Sequence, residues 1–291
     1  MAGFFPGFSR QRIATGETEI NLVLGGKGPP LLLLHGYPQT HVMWHKVAPA
    51  LAAQFTVVAP DLRGYGDSGK PASDAAHNVY SKRSTARDMV AVMERLGFKS
   101  FFLAGHDRGG RVAHRLTLDH PGRVERLAVL DIIPTRTVFQ RVDKALATST
   151  YHWFFLIQPE LPEVLIGGNP DFYLEWTLKK WSRNFSAFAP EAVAEYKRCF
   201  RDPATIHATC EDYRAGASTD LEHDEVDVAA KIECPLLAIW GEGPATRWSG
   251  IADIWRERAT NVTGHPLDCG HFLAEEKPEE TLEALREFFA T

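Results

Sequence analysis

The chain has 291 residues, of which 44% are hydrophobic, and a formal net charge of −5. This length suits one large α/β domain with an insertion, and the hydrophobic share excludes an intrinsically disordered chain. The negative charge and the lack of a basic run argue against a nucleic-acid partner.

The cysteines and the apolar runs exclude further classes of protein. The four cysteines form no C-x-x-C pair, so neither a zinc site nor a disulfide framework is expected. We expect Cys269 to be a small packing residue. No apolar run approaches the ~20 residues that span a bilayer, and the N-terminus lacks the features of a signal peptide. We therefore expect a cytoplasmic protein with no membrane association and no bound metal.

Short apolar runs alternate with helical patterns along most of the chain. A weakly alternating run over residues 19–24 predicts an edge strand. Helices are predicted over Ser84–Leu96, over Gly110–His120 and from Pro278 onwards, where apolar residues share one face. Strands are predicted at the apolar runs over residues 31–34, 56–59, 101–104, 127–130 and 236–240, and a further strand is predicted over 262–267. Strands that alternate with helices predict an α/β fold with a mainly parallel, doubly wound sheet.

The pattern changes between Pro134 and about Val228. This segment is rich in aromatic residues, and no run within it is typical of a buried strand. We predict a helical cap over residues 134–227, inserted into a core formed by residues 1–133 and 228–291. Side chains at the carboxyl ends of the core strands would then open into one crevice beneath the cap: His35, Asp61, Asp107 and Asp131.

The predicted strand at 101–104 runs directly into Gly105-His106-Asp107-Arg108-Gly109, and a predicted helix follows. This is the strand–turn–helix setting of the G-x-S-x-G nucleophile motif, with aspartate in the position of serine. A carboxylate there is suited to attacking saturated carbon and forming an ester. The alternative is an ordinary N-cap aspartate. The flanking glycines and the preceding strand favour a nucleophilic Asp107.

Two arginines lie in the first turn of the same predicted helix. Cations at this end of a helix oppose the macrodipole by ~0.3–1 kcal/mol each, so a bound anion is expected to offset them. Arg108 and Arg111 are three residues apart and share one helix face. Two forked guanidinium groups form a suitable clamp for a substrate carboxylate. The alternative is that either arginine pairs with a buried Asp or Glu.

The remaining catalytic candidates follow the last predicted strands. His271, in Asp268-Cys269-Gly270-His271-Phe272, occupies the place of a general base in the order nucleophile, acid, histidine. Asp131 ends a strand and is the preferred partner of His271, with Glu242 as the second choice. Backbone N–H groups of Tyr37 and Arg108 would form an oxyanion hole. We interpret Ser68 as part of a loop.

These residues resemble the α/β-hydrolase superfamily across nearly the whole chain. More narrowly, the sequence resembles the fluoroacetate (haloacetate) dehalogenases. The matching motifs are His106-Asp107-Arg108-Gly109-Gly110-Arg111, Tyr151-His152-Trp153, Asp212-Tyr213-Arg214 and Cys269-Gly270-His271-Phe272. Haloalkane dehalogenases and epoxide hydrolases usually carry tryptophan where this chain has Arg108.

The resemblance implies roles for individual residues. Asp107 would be the nucleophile, His271 the base and Asp131 its partner, while Arg108 and Arg111 would hold the substrate carboxylate. His152, Trp153 and Tyr213 would bind the halide, for which their three N–H and O–H donors are suited; the alternative for Trp153 and Tyr213 is ordinary cap packing. Trp181 would line the pocket. Relatives also imply a homodimer.

The expected reaction is hydrolytic dehalogenation of a 2-haloacetate, fluoroacetate or chloroacetate, to glycolate and halide through an aspartyl ester. The small 2-haloacid is the expected partner, and no organic cofactor is expected. One alternative is an epoxide hydrolase with the same nucleophile and with acidic phenols drawn from Tyr151, Tyr173 and Tyr213. Another is a small-molecule binder without catalytic activity on the same fold.

Overall fold

The computed structural model describes residues 3–242 and 250–290. Its centre is one mixed, mainly parallel sheet. The strands in the described residues are β1 (Ser9–Ala14), β2 (Glu19–Gly25), β3 (Pro30–Leu34), β4 (Thr56–Pro60), β5 (Phe101–His106), β6 (Val124–Leu130), β7 (Leu236–Gly241) and β8 (Val262–Leu267). Their order across the sheet is β1-β2-β4-β3-β5-β6-β7-β8. The predicted α/β fold class is confirmed.

The strands β4, β3, β5, β6, β7 and β8 pair in parallel with their neighbours in that order. At the other side of the sheet, β1 pairs antiparallel with β2, and β2 pairs antiparallel with β4. The strand predicted over residues 19–24 is confirmed as β2, but its predicted position at the edge of the sheet is wrong, because β1 pairs along the outer side of β2. The polar sequence of β1, SRQRIA, lacks the apolar alternation that reveals a strand, since its outer position leaves most of its side chains in water.

Helices account for most of the remaining described chain. In the core they are α1 (Ala48–Leu51), α2 (Lys82–Arg95), α3 (Asp107–Asp119), α12 (Ile251–Arg256), α13 (Leu273–Glu276) and α14 (Pro278–Ala290). Between β6 and β7 they are α4 (Thr135–Gln140), α5 (Lys144–Ser149), α6 (His152–Phe155), α7 (Leu161–Gly168), α8 (Pro170–Trp181), α9 (Pro190–Phe200), α10 (Pro203–Gly216) and α11 (Thr219–Val226). Short 3₁₀ turns lie at His41–Trp44, Asn78–Tyr80 and Phe185–Ala187.

The core lies on both faces of the central strands. Leu31 to Leu34 of β3 are fully buried, and α3 packs against β5 and β6. Burying one such leucine stabilises the fold by about 1.5–3 kcal/mol. On α14, Phe289 stacks on Phe102 of β5 with ring centroids 5.3 Å apart. These contacts fix the strands between layers of helices, and the candidate catalytic residues lie at the carboxyl ends of the strands.

Residues 134–227 lie wholly within the described chain and contain helices but no strand. Their buried aromatic side chains face the carboxyl ends of the core strands, as the contact between Trp181 and His271 illustrates. The predicted core segments include residues 1–2, 243–249 and 291, which lie outside the described residues. Among the described helices, none combines the length and the apolar character needed to cross a membrane.

Candidate active site

Asp107 lies on a strained turn between β5 and α3. Its φ is +46°, a left-handed conformation that an aspartate adopts at some energetic cost. The turn is tight because glycines surround it: a Cβ on Gly105 would lie 2.5 Å from the carbonyl oxygen of Gly109. The strain is a feature of a nucleophile elbow, and it directs the carboxylate above the sheet edge.

The Asp107 carboxylate is buried and held by the predicted oxyanion-hole residue. Its Oδ2 accepts a hydrogen bond of 2.9 Å from the backbone N–H of Tyr37. Burial opposes ionisation, but the attraction of the Asp107 carboxylate to protonated His271 and to the Arg111 guanidinium overcomes this effect and lowers the pKa of Asp107. The carboxylate is therefore ionised at neutral pH, as a nucleophile must be.

His271 and Asp131 form the expected pair. Nδ1 of His271 lies 2.6 Å from Oδ2 of Asp131, and Oδ1 of Asp131 accepts a hydrogen bond from the backbone N–H of Gly241. Burial lowers the pKa of His271, but the hydrogen bond to Asp131 and the charges of Asp131 and Asp107 outweigh burial and raise it. The second choice, Glu242, is exposed at the end of β7, so Asp131 is the residue that orients the imidazole.

Two further groups hold His271 in place, and the sequence reasoning missed both. The backbone N–H of His271 donates to the carbonyl of Trp181 over 2.9 Å, and Nε2 of His106 donates to the carbonyl of His271 over 2.7 Å. Burial and the nearby His271 lower the pKa of His106 to about 4, so its ring is neutral and can donate. The position of His106 directly before the nucleophile was the available sequence signal.

The two arginines differ in their surroundings. Arg111 donates from Nη1 to the carbonyl of Ile133 and the hydroxyl of Thr135, both at 3.0 Å, and no carboxylate pairs with it among the described residues. Its guanidinium lies over the Trp153 ring, 4.4 Å from the centroid. Burial and Arg108 lower the pKa of Arg111 to about 10, which still leaves it charged at neutral pH.

Arg108, in contrast, pairs with a buried carboxylate of the cap. Its Nε donates to Oδ2 of Asp212 and its Nη2 to the Asp212 carbonyl, both over 2.6 Å. This is the alternative that the sequence left open for the arginines. The partner carboxylate belongs to Asp212, which lies 104 positions after Arg108 in the sequence.

The predicted halide-binding residues lie together on two helices of the segment between β6 and β7. His152 and Trp153 on α6 and Tyr213 on α10 are all buried. The Tyr213 ring centroid lies 5.7 Å from that of His152 and 6.0 Å from that of Trp153. Burial lowers the pKa of His152 to about 3, so its ring is neutral and can supply one N–H donor. The Trp181 ring lies against His152 at an interplanar angle of 45°, with centroids 4.3 Å apart.

These side chains border a small cavity. Its volume is about 80 Å³, and its lining residues are Asp107, Arg111, Asp131, Ile132, Ile133, Val138, Ser149, Thr150, His152, Trp153, Trp181, Ile251 and His271. Arg108 and Tyr213 adjoin this lining: the Arg108 guanidinium lies 4.1 Å from the Tyr213 ring centroid and 5.9 Å from that of Trp153, which lines the cavity. The cavity therefore suits a substrate of only a few heavy atoms.

Several polar atoms at this site are buried without a protein partner. They are Nη1 of Arg108, Nε of Arg111, Nδ1 of His152, the hydroxyl of Tyr213 and Nε2 of His271. Buried polar groups are nearly always hydrogen-bonded, and an unpaired one costs about 1–3 kcal/mol. Their concentration around one cavity indicates a binding site for a small polar anion. No group of three potential metal ligands occurs within the described ranges.

The chain is similar to proteins of known family. A family model described as alpha/beta hydrolase fold matches residues 29–278. The chain is 46% identical over 289 residues to a fluoroacetate dehalogenase from Burkholderia sp., covering 98% of this chain and 95% of that protein. It is 37% identical over 279 residues to a soluble epoxide hydrolase from Corynebacterium sp. (strain C12), covering 93% of each.

A solved structure extends the comparison to three dimensions. A protein from Nostoc sp. PCC 7120, described as an α/β hydrolase, is 60% identical and superposes with a TM-score of 0.96. The match covers 97% of this chain and 98% of that one. The similarity thus includes the helical segment between β6 and β7 as well as the sheet.

Proposed function

This chain belongs to the α/β-hydrolase fold family, and from that premise we propose that it hydrolyses 2-haloacetates to glycolate and halide. The observation that carries the proposal is the presence of Asp107, His271 and the unpaired Nε of Arg111 around one small cavity. Asp107 supplies a carboxylate nucleophile, His271 a base, and Arg111 a cation without an anionic partner. A 2-haloacetate presents an electrophilic carbon bonded directly to a carboxylate, which matches a nucleophile and an unpaired cation facing one small cavity.

The first half-reaction is alkylation of Asp107. Oδ2 of Asp107 is engaged by the Tyr37 N–H, so Oδ1 attacks the halogen-bearing carbon of the substrate. A carbon–oxygen bond forms, the carbon–halogen bond breaks, and the halide leaves with the bonding electron pair. His152, Trp153 and Tyr213 hydrogen-bond the departing halide, and such bonds to a charged group contribute about 1.5–3 kcal/mol each.

The second half-reaction is hydrolysis of the ester. His271, oriented by Asp131, removes a proton from water, and the resulting hydroxide attacks the carboxyl carbon of Asp107. The developing oxyanion is Oδ2, which already accepts the Tyr37 N–H; the Arg108 N–H is the second proposed donor. Collapse of the intermediate breaks the bond to the glycolate oxygen, and the glycolate alkoxide takes the proton from His271. The Asp107 carboxyl group then loses the remaining water proton to solvent, which restores the carboxylate.

The relative named fluoroacetate dehalogenase supports this substrate class. A second candidate, epoxide hydrolysis, is supported by the relative named soluble epoxide hydrolase and by the unpaired Tyr213 hydroxyl, which could protonate an epoxide oxygen. Arg111 favours the haloacetate, because an epoxide without a carboxylate would leave this buried cation unpaired.

The deciding experiment compares substrates and labels the intermediate. Fluoride and chloride release from the two monohaloacetates is measured beside turnover of a small neutral epoxide. We expect halide release by the native protein, none by Asp107→Asn, and a covalent adduct on Asp107 in His271→Asn that mass spectrometry detects.

Single turnover in heavy-oxygen water tests the route. Label should enter Asp107, while the first glycolate takes its new oxygen from unlabelled enzyme. Label found directly in that glycolate would contradict the ester intermediate, and epoxide turnover without halide release would overturn the substrate class.

A further inference from the structure

One residue of the cap accepts hydrogen bonds from one edge of the Arg108 guanidinium group. Asp212 accepts from Nε through its carboxylate and from Nη2 through its own carbonyl, both over 2.6 Å. Arginine presents five donors in a rigid planar fork, so fixing one edge fixes the direction of the rest. Only Nη1 remains, and it is buried without a partner among the described residues.

Asp212 is itself anchored by the core. Tyr65 donates its hydroxyl to Oδ2 of Asp212 over 2.9 Å, and the Lys82 ammonium bonds Oδ1. Lys82 also lies 3.5 Å from Asp220. The carboxylate therefore joins α10 of the cap to α2, α3 and the loop after β4, and it cannot rotate without breaking several charged hydrogen bonds.

The charges around Arg108 are balanced without any ligand. Arg108 and Lys82 are matched by Asp212 and Asp220, whereas Arg111 has no carboxylate partner in the described chain. Arg108 thus adds direction rather than net charge to the recognition of an anion. Without the hydrogen bonds to Asp212, the Arg108 guanidinium could rotate towards Asp107. The resulting ion pair would block the carboxylate that is proposed to attack the substrate.

We propose that Asp212 is the positioning residue for Arg108: it presents the Nη1 group to the substrate carboxylate, while Arg111 supplies the uncompensated charge. This inference rests on the proposed haloacetate activity for the identity of the carboxylate. It makes carboxylate recognition depend on a residue of the cap, so the site is complete only when α10 is seated on the core.

The test is Asp212→Asn, which keeps the shape but removes the charge that holds Nε. We expect the KM for chloroacetate and the inhibition constant of acetate to rise about ten- to hundredfold, the factor equivalent to a charged hydrogen bond. The kcat should change less, and inhibition by bromide, which carries no carboxylate, should be unchanged. A purely structural role would weaken acetate and bromide together.

The matched control is Asp220→Asn. Asp220 is equally buried and pairs with the same Lys82, but no hydrogen bond joins it to Arg108. We expect its acetate and bromide inhibition constants to remain at the native values. An equal loss of acetate binding in Asp220→Asn and Asp212→Asn would overturn the proposal.

Tyr65→Phe covers the case in which Asp212→Asn does not fold. It removes one hydrogen bond to the Asp212 oxygen that Arg108 uses, without a change of charge. We expect acetate to bind about two- to tenfold more weakly. Unchanged acetate affinity in Tyr65→Phe, or in a folded Asp212→Asn, contradicts the inference.

Acetate binding can be measured by calorimetry without turnover. If the native protein binds acetate but releases no halide, the proposed function fails, while the comparison of Asp212→Asn with the native protein still decides the role of Asp212.

Discussion

Asp107 and His271 face the same cavity, yet their surroundings shift their pKa values in opposite directions. The pKa of Asp107 is lowered and that of His271 is raised, in each case because neighbouring charges overcome the effect of burial. Each charge stabilises the other through this proximity. Asp107, the proposed nucleophile, is therefore ionised at low pH, whereas His271, the proposed base, becomes neutral only at higher pH.

A separation of the two half-reactions by pH follows. His271 must be neutral to act as a base, and its pKa lies above the usual 6.5, so ester hydrolysis should be lost as pH falls through that raised value. Alkylation needs only ionised Asp107 and should persist to lower pH. We expect kcat to rise with pH with an apparent pKa above 6.5, and rapid quenching at pH 5.5 to trap alkylated Asp107.

The control for this prediction is His271→Asn. In this variant, alkylated Asp107 should form at the same rate at pH 5.5 as at a pH above the raised pKa of His271. If the native protein accumulated no adduct at low pH while kcat fell, protonation would be limiting alkylation instead, and the assignment of His271 as the base would fail.

The elbow depends on how closely α3 approaches β3. A Cβ on Gly109 would lie 2.4 Å from the carbonyl oxygen of His35 and 2.7 Å from that of Leu34. Backbone atoms cannot move aside as the end of a flexible side chain can. Gly109 therefore sets the distance between the nucleophile and the loop that carries Tyr37.

Gly109→Ala should consequently destabilise the fold and displace Asp107 from the Tyr37 N–H. We expect the free energy of unfolding in urea to fall by about 1–3 kcal/mol, together with a loss of kcat. Gly167→Ala is the control, since Gly167 is also helical and nothing lies within 4 Å of its added Cβ. That control should be stabilised by up to about 1 kcal/mol; equal stability of the two variants would refute the close-packing argument.

The cap and the catalytic loop are joined by one carboxylate. Oε2 of Glu276 accepts the backbone N–H groups of Arg183 and Asn184, which follow α8, over 2.7 and 2.9 Å. The same side chain accepts the N–H groups of Gly270 and Phe272, on either side of His271. A movement of the cap at this point is therefore transmitted to the base.

Glu276→Gln should loosen this connection, because an amide has one oxygen where the carboxylate offers two. We expect a stability loss of about 1 kcal/mol in urea unfolding and a slower ester hydrolysis with alkylation unaffected, measured by single turnover. Glu279→Gln, an exposed neighbour at the start of α14, should match the native protein in both measurements. Slower alkylation in Glu276→Gln would mean that Glu276 does not act through His271.

The sequence was sufficient for features encoded within a few adjacent residues. The apolar runs predicted five strands inside the sheet, β3 to β7, and the Gly-His-Asp-Arg-Gly turn predicted the elbow that Asp107 occupies. Such features depend on local periodicity and on glycine sterics, which the order of residues specifies directly. Strand β1 was not predicted, because its polar side chains show no apolar periodicity.

Tertiary structure decided which distant groups meet. The sequence favoured Asp131 as the partner of His271, and the structure brings the two together across 140 positions. The pairing of Arg108 with Asp212, 104 positions apart, was left open by the sequence and is decided by the fold alone. Many Asp and Glu residues could satisfy an arginine or a histidine on chemical grounds, and only the packing of the cap on the sheet determines which one arrives. The sequence by itself therefore determined the chemical groups of this site, whereas the fold determined which of their donors remain free for a ligand.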